Sequence, residues 1–214
     1  MTKYKSSNYL TNINRYFSQY FKDKESWWTE VNVEDPSKMI GNTIIHGAIM
    51  MEMLCESHYQ KVDLFCFHNL TNTIIGMSMT WSPKNATRVN ITSFYHTNIM
   101  LSKVKNYNTS VKTSSDGEFH TWQFKEGNKN ILCFVNKTNV TRRLFLDKSI
   151  NKVYVVQGDL HSSNFSDSDS TLDPAYRVNS KKNWTLAEFK VINENLSVNY
   201  FDASCGYGVI EWED

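Results

Sequence analysis

Hydrophobic and polar residues alternate along much of the chain. The clearest case lies within 118–125, where Glu118, His120, Trp122 and Phe124 occupy every second position. Antiparallel sheets with one covered face give this period of two, whereas buried parallel strands give continuous apolar runs. The alternation therefore predicts antiparallel β structure, with these four side chains on its inner face.

Strand-like composition extends from residue 27 to residue 157. Val, Ile, Thr and aromatic residues dominate, and clusters of Asn, Gly, Ser and Lys interrupt them, which is typical of strands and turns. The predicted strands lie near 27–33, 43–54, 61–68, 73–81, 88–95, 99–104, 108–113, 118–125, 130–135, 142–147 and 152–157.

Two segments carry helical periodicity instead. Apolar residues recur at helical spacing over 7–24, which predicts an opening helix. Thr185 and Glu188 form a capping box in front of a second apolar stripe, which predicts an outer helix over 185–196. We expect the tail 198–214 to be a loop or a short edge strand.

The element order predicts one domain over 1–214, mainly β. We expect an antiparallel, lipocalin-like eight-stranded barrel over 27–157, because closure hides strand edges. A barrel of this size can hold one small ligand. A β-sandwich is the alternative.

Nine Asn-x-Ser/Thr sequences occur, where a chain of this composition has about four by chance. Each glycan needs a solvent-exposed acceptor. The excess indicates a secreted glycoprotein, and chance in an Asn-rich chain is the alternative. The acceptors are Asn69, Asn85, Asn90, Asn108, Asn136, Asn139, Asn164, Asn183 and Asn195.

The chain has four cysteines, Cys55, Cys66, Cys133 and Cys205, without the spacing of a zinc site. An even number favours two disulfides in an oxidising compartment, and four reduced core thiols are the alternative. The first residues form no apolar signal segment, so we interpret the chain as a mature product.

The net charge and the absence of known catalytic motifs limit the classes of function that the sequence allows. A net charge of +1 argues against nucleic acid, and the absence of a long apolar run argues against a membrane span. No GxSxG, HExxH, P-loop or GxGxxG motif occurs. We interpret the acidic residues Glu52, Asp63, Glu118 and Glu126 as solvated strand positions. We therefore expect no catalytic residue, metal or cofactor, and a binding protein rather than an enzyme.

Aromatic residues in the predicted strands are the candidate ligand contacts. In a barrel with a cavity they line a pocket, and in a filled core they only pack. An inward-pointing Arg143 would select an anionic group, whereas an exposed Arg143 would not. The candidate ligand-binding residues are Trp81, Tyr95, His120, Trp122, Phe124 and Arg143.

Several short segments resemble one family. Residues 25–36, with a Trp pair before Glu-Asp-Pro, are similar to its first strand, and 115–119 lead into the Cys-bearing strand 130–135 as its hairpin does. Segment 198–205 is similar to its closing segment, which ends in a cysteine. Together these segments resemble the tick salivary lipocalins, which include the histamine-binding proteins. The resemblance implies a lipocalin barrel and disulfides that join Cys66 with Cys205 and Cys55 with Cys133.

The resemblance also implies a secreted monomer that sequesters a small host mediator and so modulates host inflammation or immunity. Amine-binding members carry inward acidic residues, whereas the corresponding segments 121–123 and 142–144 carry none. We therefore favour a hydrophobic or lipid-like ligand over a biogenic amine. The alternative is a secreted parasite or viral decoy with a filled core, whose partner is a host immune protein.

Overall fold

The computed structural model describes residues 15, 19–20, 24–31, 44–67, 71–72, 79–82, 85–91, 93–107, 109–158 and 189–214. Within these residues two helices and thirteen strands have defined bounds. The helices are α1 (Ile44–Tyr59) and α2 (Ser93–Val104). The strands are β1 (Trp27–Val31), β2 (Leu64–Phe67), β3 (Thr71–Asn72), β4 (Met79–Ser82), β5 (Asn85–Ile91), β6 (Thr109–Ser115), β7 (Phe119–Glu126), β8 (Lys129–Asn136), β9 (Arg142–Phe145), β10 (Lys152–Gly158), β11 (Phe189–Asn195), β12 (Tyr200–Ala203) and β13 (Gly206–Glu213).

β1 and β2 form a parallel pair, and α1 connects them. Trp27 pairs with Leu64, and Trp28 pairs with Phe65. Parallel strands need a long crossover, usually a helix, and this connection brings the carboxyl ends of both strands to one edge. Next along the chain, β3 pairs in parallel with β4, and β4 pairs antiparallel with β5.

The second half of the chain forms a six-stranded antiparallel sheet in the order β11-β10-β13-β8-β7-β6. A tight hairpin joins β7 to β8, and Gly127 lies in its turn with φ +59°, a conformation that suits glycine. Ahead of β7, the Asp116 carboxylate accepts a hydrogen bond from the backbone N–H of Phe119 at 2.8 Å. Asp116 thus lies in the turn between β6 and β7, and Gly127 lies in the turn between β7 and β8.

Two different layers cover the faces of this sheet. On one face α1 and α2 pack over a core that includes Ile44, Trp122 and Tyr207. On the other face β9 and β12 form an antiparallel ribbon. The ribbon side chain Phe201 packs there against sheet residues such as Phe134. The molecule therefore has a helix layer, a sheet and a partial ribbon layer.

The predicted eight-stranded barrel is wrong. Among the described residues the strands form one six-stranded sheet and three smaller sheets, and none of them closes into a barrel. The chain buries its sheet by covering the two faces with other elements instead of joining the outer strands β11 and β6.

Two predicted strands, 43–54 and 99–104, are helical and lie in α1 and α2. The segment 43–54 is almost continuously apolar because α1 is buried between the β1–β2 pair and the large sheet. A helix that is covered on several sides loses its amphipathic period, and an apolar run then does not distinguish helix from strand.

The late helix predicted over 185–196 is also wrong, because residues 189–195 form β11 on the edge of the sheet. Phe189 packs towards the helix layer and Ile192 towards the ribbon layer. A spacing of three residues places side chains on one face of a helix but on opposite faces of a strand. The apolar residues that suggest a helix therefore pack against the cores on both faces of the sheet.

The predicted tail, 198–214, contributes two strands. β13 lies at the centre of the sheet between β10 and β8 instead of at an edge. Gly206 and Gly208 weaken the strand signal, since glycine is depleted in strands. The opening helix predicted over 7–24 falls mostly outside the described residues, of which Arg15, Gln19 and Tyr20 are helical.

Candidate functional site

The carboxyl edge of β1 and β2 is the candidate site. In α/β folds that carry parallel strands, ligands bind outside the carboxyl ends of these strands. Glu30 lies one residue before the end of β1, and Val31, the last residue, pairs with Phe67 of β2. Glu30 is also the only ionisable acid in either strand. The fold thus places one carboxylate-bearing residue at the edge where chemistry is expected.

The register of this edge is fixed by contacts at the opposite end of the pair. The backbone N–H of Ser26 donates to the Asp63 carboxylate at 2.7 Å, and the Ser26 carbonyl accepts from the backbone N–H of Asp63 at 3.1 Å. The rings of Trp28 and Phe65 stack with centroids 6.4 Å apart, and both pack against Met50 of α1. Asp63, predicted to be a solvated strand position, therefore acts as a structural anchor.

A buried ionic network lies on the other side of α1, against the large sheet. Glu52 is fully buried, and its carboxylate contacts Lys137 Nζ at 2.5 Å and His120 Nε2 at 3.3 Å. One turn further along α1, Glu56 Oε2 accepts from Lys112 Nζ at 3.0 Å and from Trp122 Nε1 at 3.2 Å. The prediction that Glu52 lies on a solvated strand face is wrong.

The same burial controls protonation in this network. Burial lowers the pKa of His120, Lys137 and Lys112 lower it further, and the Glu52 carboxylate opposes the shift. The net direction favours a neutral imidazole. Burial and contact with the Cys133 thiol raise the pKa of Cys55 well above its usual value, so that this thiol stays protonated. Both effects are those of a dry helix–sheet interface.

The three candidate ligand contacts on β7 lie in this interface. Trp122 and Phe124 are fully buried and His120 is 1% exposed, with the His120 and Trp122 rings stacked at 5.7 Å. Phe124 meets the ring of His58, on α1, edge to face at 5.0 Å. His120, Trp122 and Phe124 share one face of β7, but residues 119–122 are all buried, so both faces of the strand are covered there and not one as predicted.

The other three candidates belong to three different elements. The Arg143 guanidinium is on the surface, where it forms two hydrogen bonds with Asp202, at 2.7 and 2.8 Å, and lies 4.7 Å from the Tyr200 ring centroid. Tyr95 belongs to α2 and is half-buried. Trp81 belongs to β4, and its side chain lies outside the described part of the structure. Among the described side chains, those of His120, Trp122 and Phe124 share one interface, whereas that of Arg143 lies on the surface.

The four cysteines are thiols in the structure. Cys55 on α1 contacts Cys133 on β8, whereas Cys66 lies on β2 and Cys205 lies just before β13. Both disulfides stay predictions. Among the described residues, no group of three or more His, Cys, Asp or Glu side chains is arranged to hold a metal ion.

The glycosylation sites fall into four groups. Asn139 and Asn195 are exposed, whereas Asn136 is fully buried and its amide donates to the carbonyls of Val140 and Ala203 at 2.8 and 2.9 Å. A glycan on Asn136 is incompatible with these contacts. Asn85 and Asn90 lie in β5 with side chains outside the described set, and the remaining sites, Asn69, Asn108, Asn164 and Asn183, lie outside the described residues.

No protein-family model and no curated protein sequence matches the chain. Solved structures share its fold. A conserved exported protein from Bacteroides fragilis aligns with 97% of this chain and 43% of its own length, at 10% identity and a TM-score of 0.57. A family 86 glycoside hydrolase in complex with neoagarooctaose aligns with 94% of this chain and 32% of its own, at 12% identity and a TM-score of 0.55. A GH30 endoxylanase from Clostridium papyrosolvens aligns with 92% and 44%, at 14% identity and a TM-score of 0.49.

At these identities the likeness concerns the fold, and the chain spans less than half the length of each of these structures. The neighbours include glycoside hydrolases, so the expectation of a non-enzymatic, lipocalin-type scavenger is wrong, as is the alternative of a protein-binding decoy with a filled β core. Neither described helix is long and apolar enough to cross a bilayer.

Sequence reasoning placed a strand over 27–33 and did not single out Glu30. The signal that identifies it is the order of elements from 27 to 67, in which a short strand, a long apolar segment and the continuous apolar run of β2 follow one another. Continuous apolar strands indicate a parallel pair with a helical crossover. That interpretation would have directed attention to the carboxyl end of β1.

Proposed function

We propose that the chain forms part of a carbohydrate-active protein of the glycoside hydrolase type, and that Glu30 supplies a carboxylate that acts on the sugar. The observation that carries the proposal is the place of Glu30 at the carboxyl edge of the parallel β1–β2 pair. The fold likeness to a glycoside hydrolase in complex with neoagarooctaose supports the choice of a polysaccharide as substrate.

The chemistry of glycosidic bonds explains why a carboxylate matters. Hydrolysis uses two carboxyl groups, one as general acid and the other as a nucleophile or a general base. Glu52 and Glu56 are held in ion pairs with Lys137 and Lys112 beneath the large sheet, so they do not reach a polymer in solvent. Among the acidic residues of β1, α1 and β2, Glu30 is therefore the one that we assign to the reaction.

The buried network supports the proposed site indirectly. α1 follows β1 and precedes β2 in the chain. The orientation of the strand pair therefore depends on how α1 packs on the large sheet. Glu52 and Glu56 seat it with two ion pairs and an indole hydrogen bond. Together these contacts hold α1, and with it the β1–β2 pair, against the large sheet.

The test is hydrolysis of neoagarooctaose and of a panel of neutral plant and algal polysaccharides, measured as release of reducing ends. We expect Glu30→Gln to lower the rate by about 10²–10⁴-fold, the range for loss of a general acid or base. The matched control is Glu25→Gln, which removes an exposed carboxylate just before the same strand and should leave the rate unchanged.

The experiment uses the full chain in which these residues occur, and each polysaccharide is incubated with wild type and both variants in parallel. Equal rates in wild type and Glu30→Gln contradict the role of Glu30. Failure of the wild type to cleave any of the panel contradicts the hydrolase proposal itself.

We also propose that the protein is secreted and glycosylated. The excess of Asn-x-Ser/Thr sequences and the exported protein among the structural neighbours support this. Expression through a eukaryotic secretory pathway, followed by enzymatic deglycosylation, should reduce the apparent mass. A chain that shows no mass change after secretion contradicts the proposal.

A further inference from the structure

A groove of about 470 Å³ lies on the ribbon-covered face of the six-stranded sheet. Its floor consists of residues from β6, β7 and β8, and the ribbon strand β9 with the residues after it forms one wall. The ribbon packs over the part of the face that includes Val155 and Ile210. It also covers Phe119 at the start of β7, where the Arg142 guanidinium lies 6.0 Å from the ring centroid, and the groove lies further along β7.

Five of the six floor residues are polar although the floor lies on a sheet face, and Leu132 is the apolar one. Thr121, Gln123 and Lys125 occupy alternate positions of β7, so they project to the same side. The hydroxyl groups of Thr113 and Thr121 are 2.7 Å apart, and Gln123 Nε2 donates to Asn130 Oδ1 at 3.1 Å. A face meant only for packing would carry apolar side chains here, as the covered part of the same sheet does.

The walls add aromatic surface and little net charge. Phe145 is 72% exposed, and the nearly buried Trp212 contributes to the lining. Lys125 pairs with Asp214 at 2.5 Å, so Asp147 is the remaining charge among the lining residues. The groove thus combines uncharged donors and acceptors with an exposed ring.

We propose that this groove binds a neutral oligosaccharide. Hydroxyl-rich ligands match amide and hydroxyl side chains, and the apolar faces of sugar rings pack on aromatic rings. The volume lies within the range of about 300–1,000 Å³ that is usual for small-ligand sites. The lack of excess positive charge disfavours an anionic polymer, and the polar floor disfavours a lipid.

The groove is separate from the edge that carries Glu30. The β1–β2 pair packs on one side of α1, α1 covers one face of the large sheet, and the groove lies on the opposite face. The choice of sugar as ligand rests on the proposed function, but binding in the groove does not require Glu30. The two proposals can therefore fail independently.

The test is calorimetric titration of the full chain with neoagarooctaose, xylohexaose and cellohexaose. We expect Phe145→Ala and Gln123→Ala each to weaken binding by about tenfold or more, as truncation of a central contact does. The controls are Tyr59→Ala, which removes a 41% exposed ring on the helix side, and Asn193→Ala, which removes an exposed amide on β11. Both controls should bind as wild type does.

Each outcome separates the two proposals. Weaker binding in the groove variants with unchanged binding by Glu30→Gln supports the groove, whatever the result of the hydrolysis assay. Unchanged binding by Phe145→Ala and Gln123→Ala overturns the groove and leaves the role of Glu30 standing. The groove is also overturned if wild type binds none of the three oligosaccharides. Thermal melting of each variant ensures that lost binding is not lost folding.

Discussion

The two faces of the large sheet use the same kinds of charged side chain in opposite ways. On the helix side, the buried Glu52 carboxylate contacts the buried side chains of Lys137 and His120. On the ribbon side, Arg143 meets Asp202 in solvent. Breaking a buried pair leaves an uncompensated buried charge, whereas an exposed pair gains little over its hydration. The helix layer should therefore be sensitive to single substitutions that the ribbon layer tolerates.

The largest effect is expected for Glu52→Ala. The substitution leaves the buried Lys137 ammonium without its carboxylate, and the expected loss in the free energy of unfolding is about 3–5 kcal/mol. Urea denaturation followed by tryptophan fluorescence measures it. Asp202→Ala is the matched control on the other face and should leave the denaturation midpoint nearly unchanged. Equal effects of the two substitutions would contradict the comparison between the faces.

The next effect concerns how closely α1 approaches the sheet. A Cβ built at Gly47 would lie 2.6 Å from Cζ of the buried Tyr207 ring, which cannot move aside. Alanine is a better helix former than glycine by about 1 kcal/mol, but overpacking costs about 1–3 kcal/mol. We expect Gly47→Ala to lower the thermal midpoint. In the Tyr207→Leu background the same substitution should cost less, and a midpoint that rises in wild type would show that the helix has room.

Asn136 is buried, whereas Asn139, three residues later in the chain, is exposed. Asn136→Ala removes two buried amide hydrogen bonds, with an expected cost of about 1–3 kcal/mol, whereas Asn139→Ala should stay within about 0.5 kcal/mol. In secreted material, glycopeptide mapping should find glycan on Asn139 and none on Asn136. A glycan on Asn136 would contradict the position of its side chain.

A smaller change in the free energy of unfolding is expected when the pH is lowered. The unfolded chain has a His pKa of about 6.5, and the folded pKa of His120 is lower. Below about pH 6.5 the unfolded state therefore binds more protons, so stability is complete above that pH and decreases as the pH falls. Urea midpoints at several pH values should show this slope, and His120→Gln should flatten it. His96, whose pKa burial also lowers, contributes with the same sign and should retain part of the slope.

The smallest effect is expected for Arg143→Ala on the ribbon. The pair with Asp202 is exposed on both sides, so its loss should change the urea midpoint little and only at low salt. Added salt should remove even that difference. A salt-independent loss as large as that of Glu52→Ala would mean that the ribbon is held by this ion pair.

The antiparallel hairpin from β7 to β8 could be predicted from sequence, and the parallel unit could not. His120, Trp122 and Phe124 occupy every second position of β7 because their face is buried under α1, and this period is visible without knowledge of the partner. In α1 the apolar run from Ile44 is uniform because several layers surround it, so its period is lost. The local pattern of apolar residues indicates how many sides of an element are covered, but it does not indicate which elements cover them.

The candidate site shows the same limit. Glu30 becomes distinctive only when β1 is known to pair in parallel with β2, which depends on residues more than thirty positions later. Glu52 looks like an ordinary surface acid until α1 is placed against Lys137, far along the chain. The positions of both residues depend on contacts between segments far apart in the sequence. A window of neighbouring residues does not contain this information.

The central place of β13 has a consequence for biosynthesis. Its neighbours in the sheet, β8 and β10, are translated well before it, and each keeps an open hydrogen-bonding edge until residues 206–213 have left the ribosome. Open edges can pair with other chains, and sheets closed by distant segments form slowly. The nascent protein therefore passes through a stage in which the six-stranded sheet is split in two, and chaperones that shield strand edges should matter most during the synthesis of the eight residues of β13.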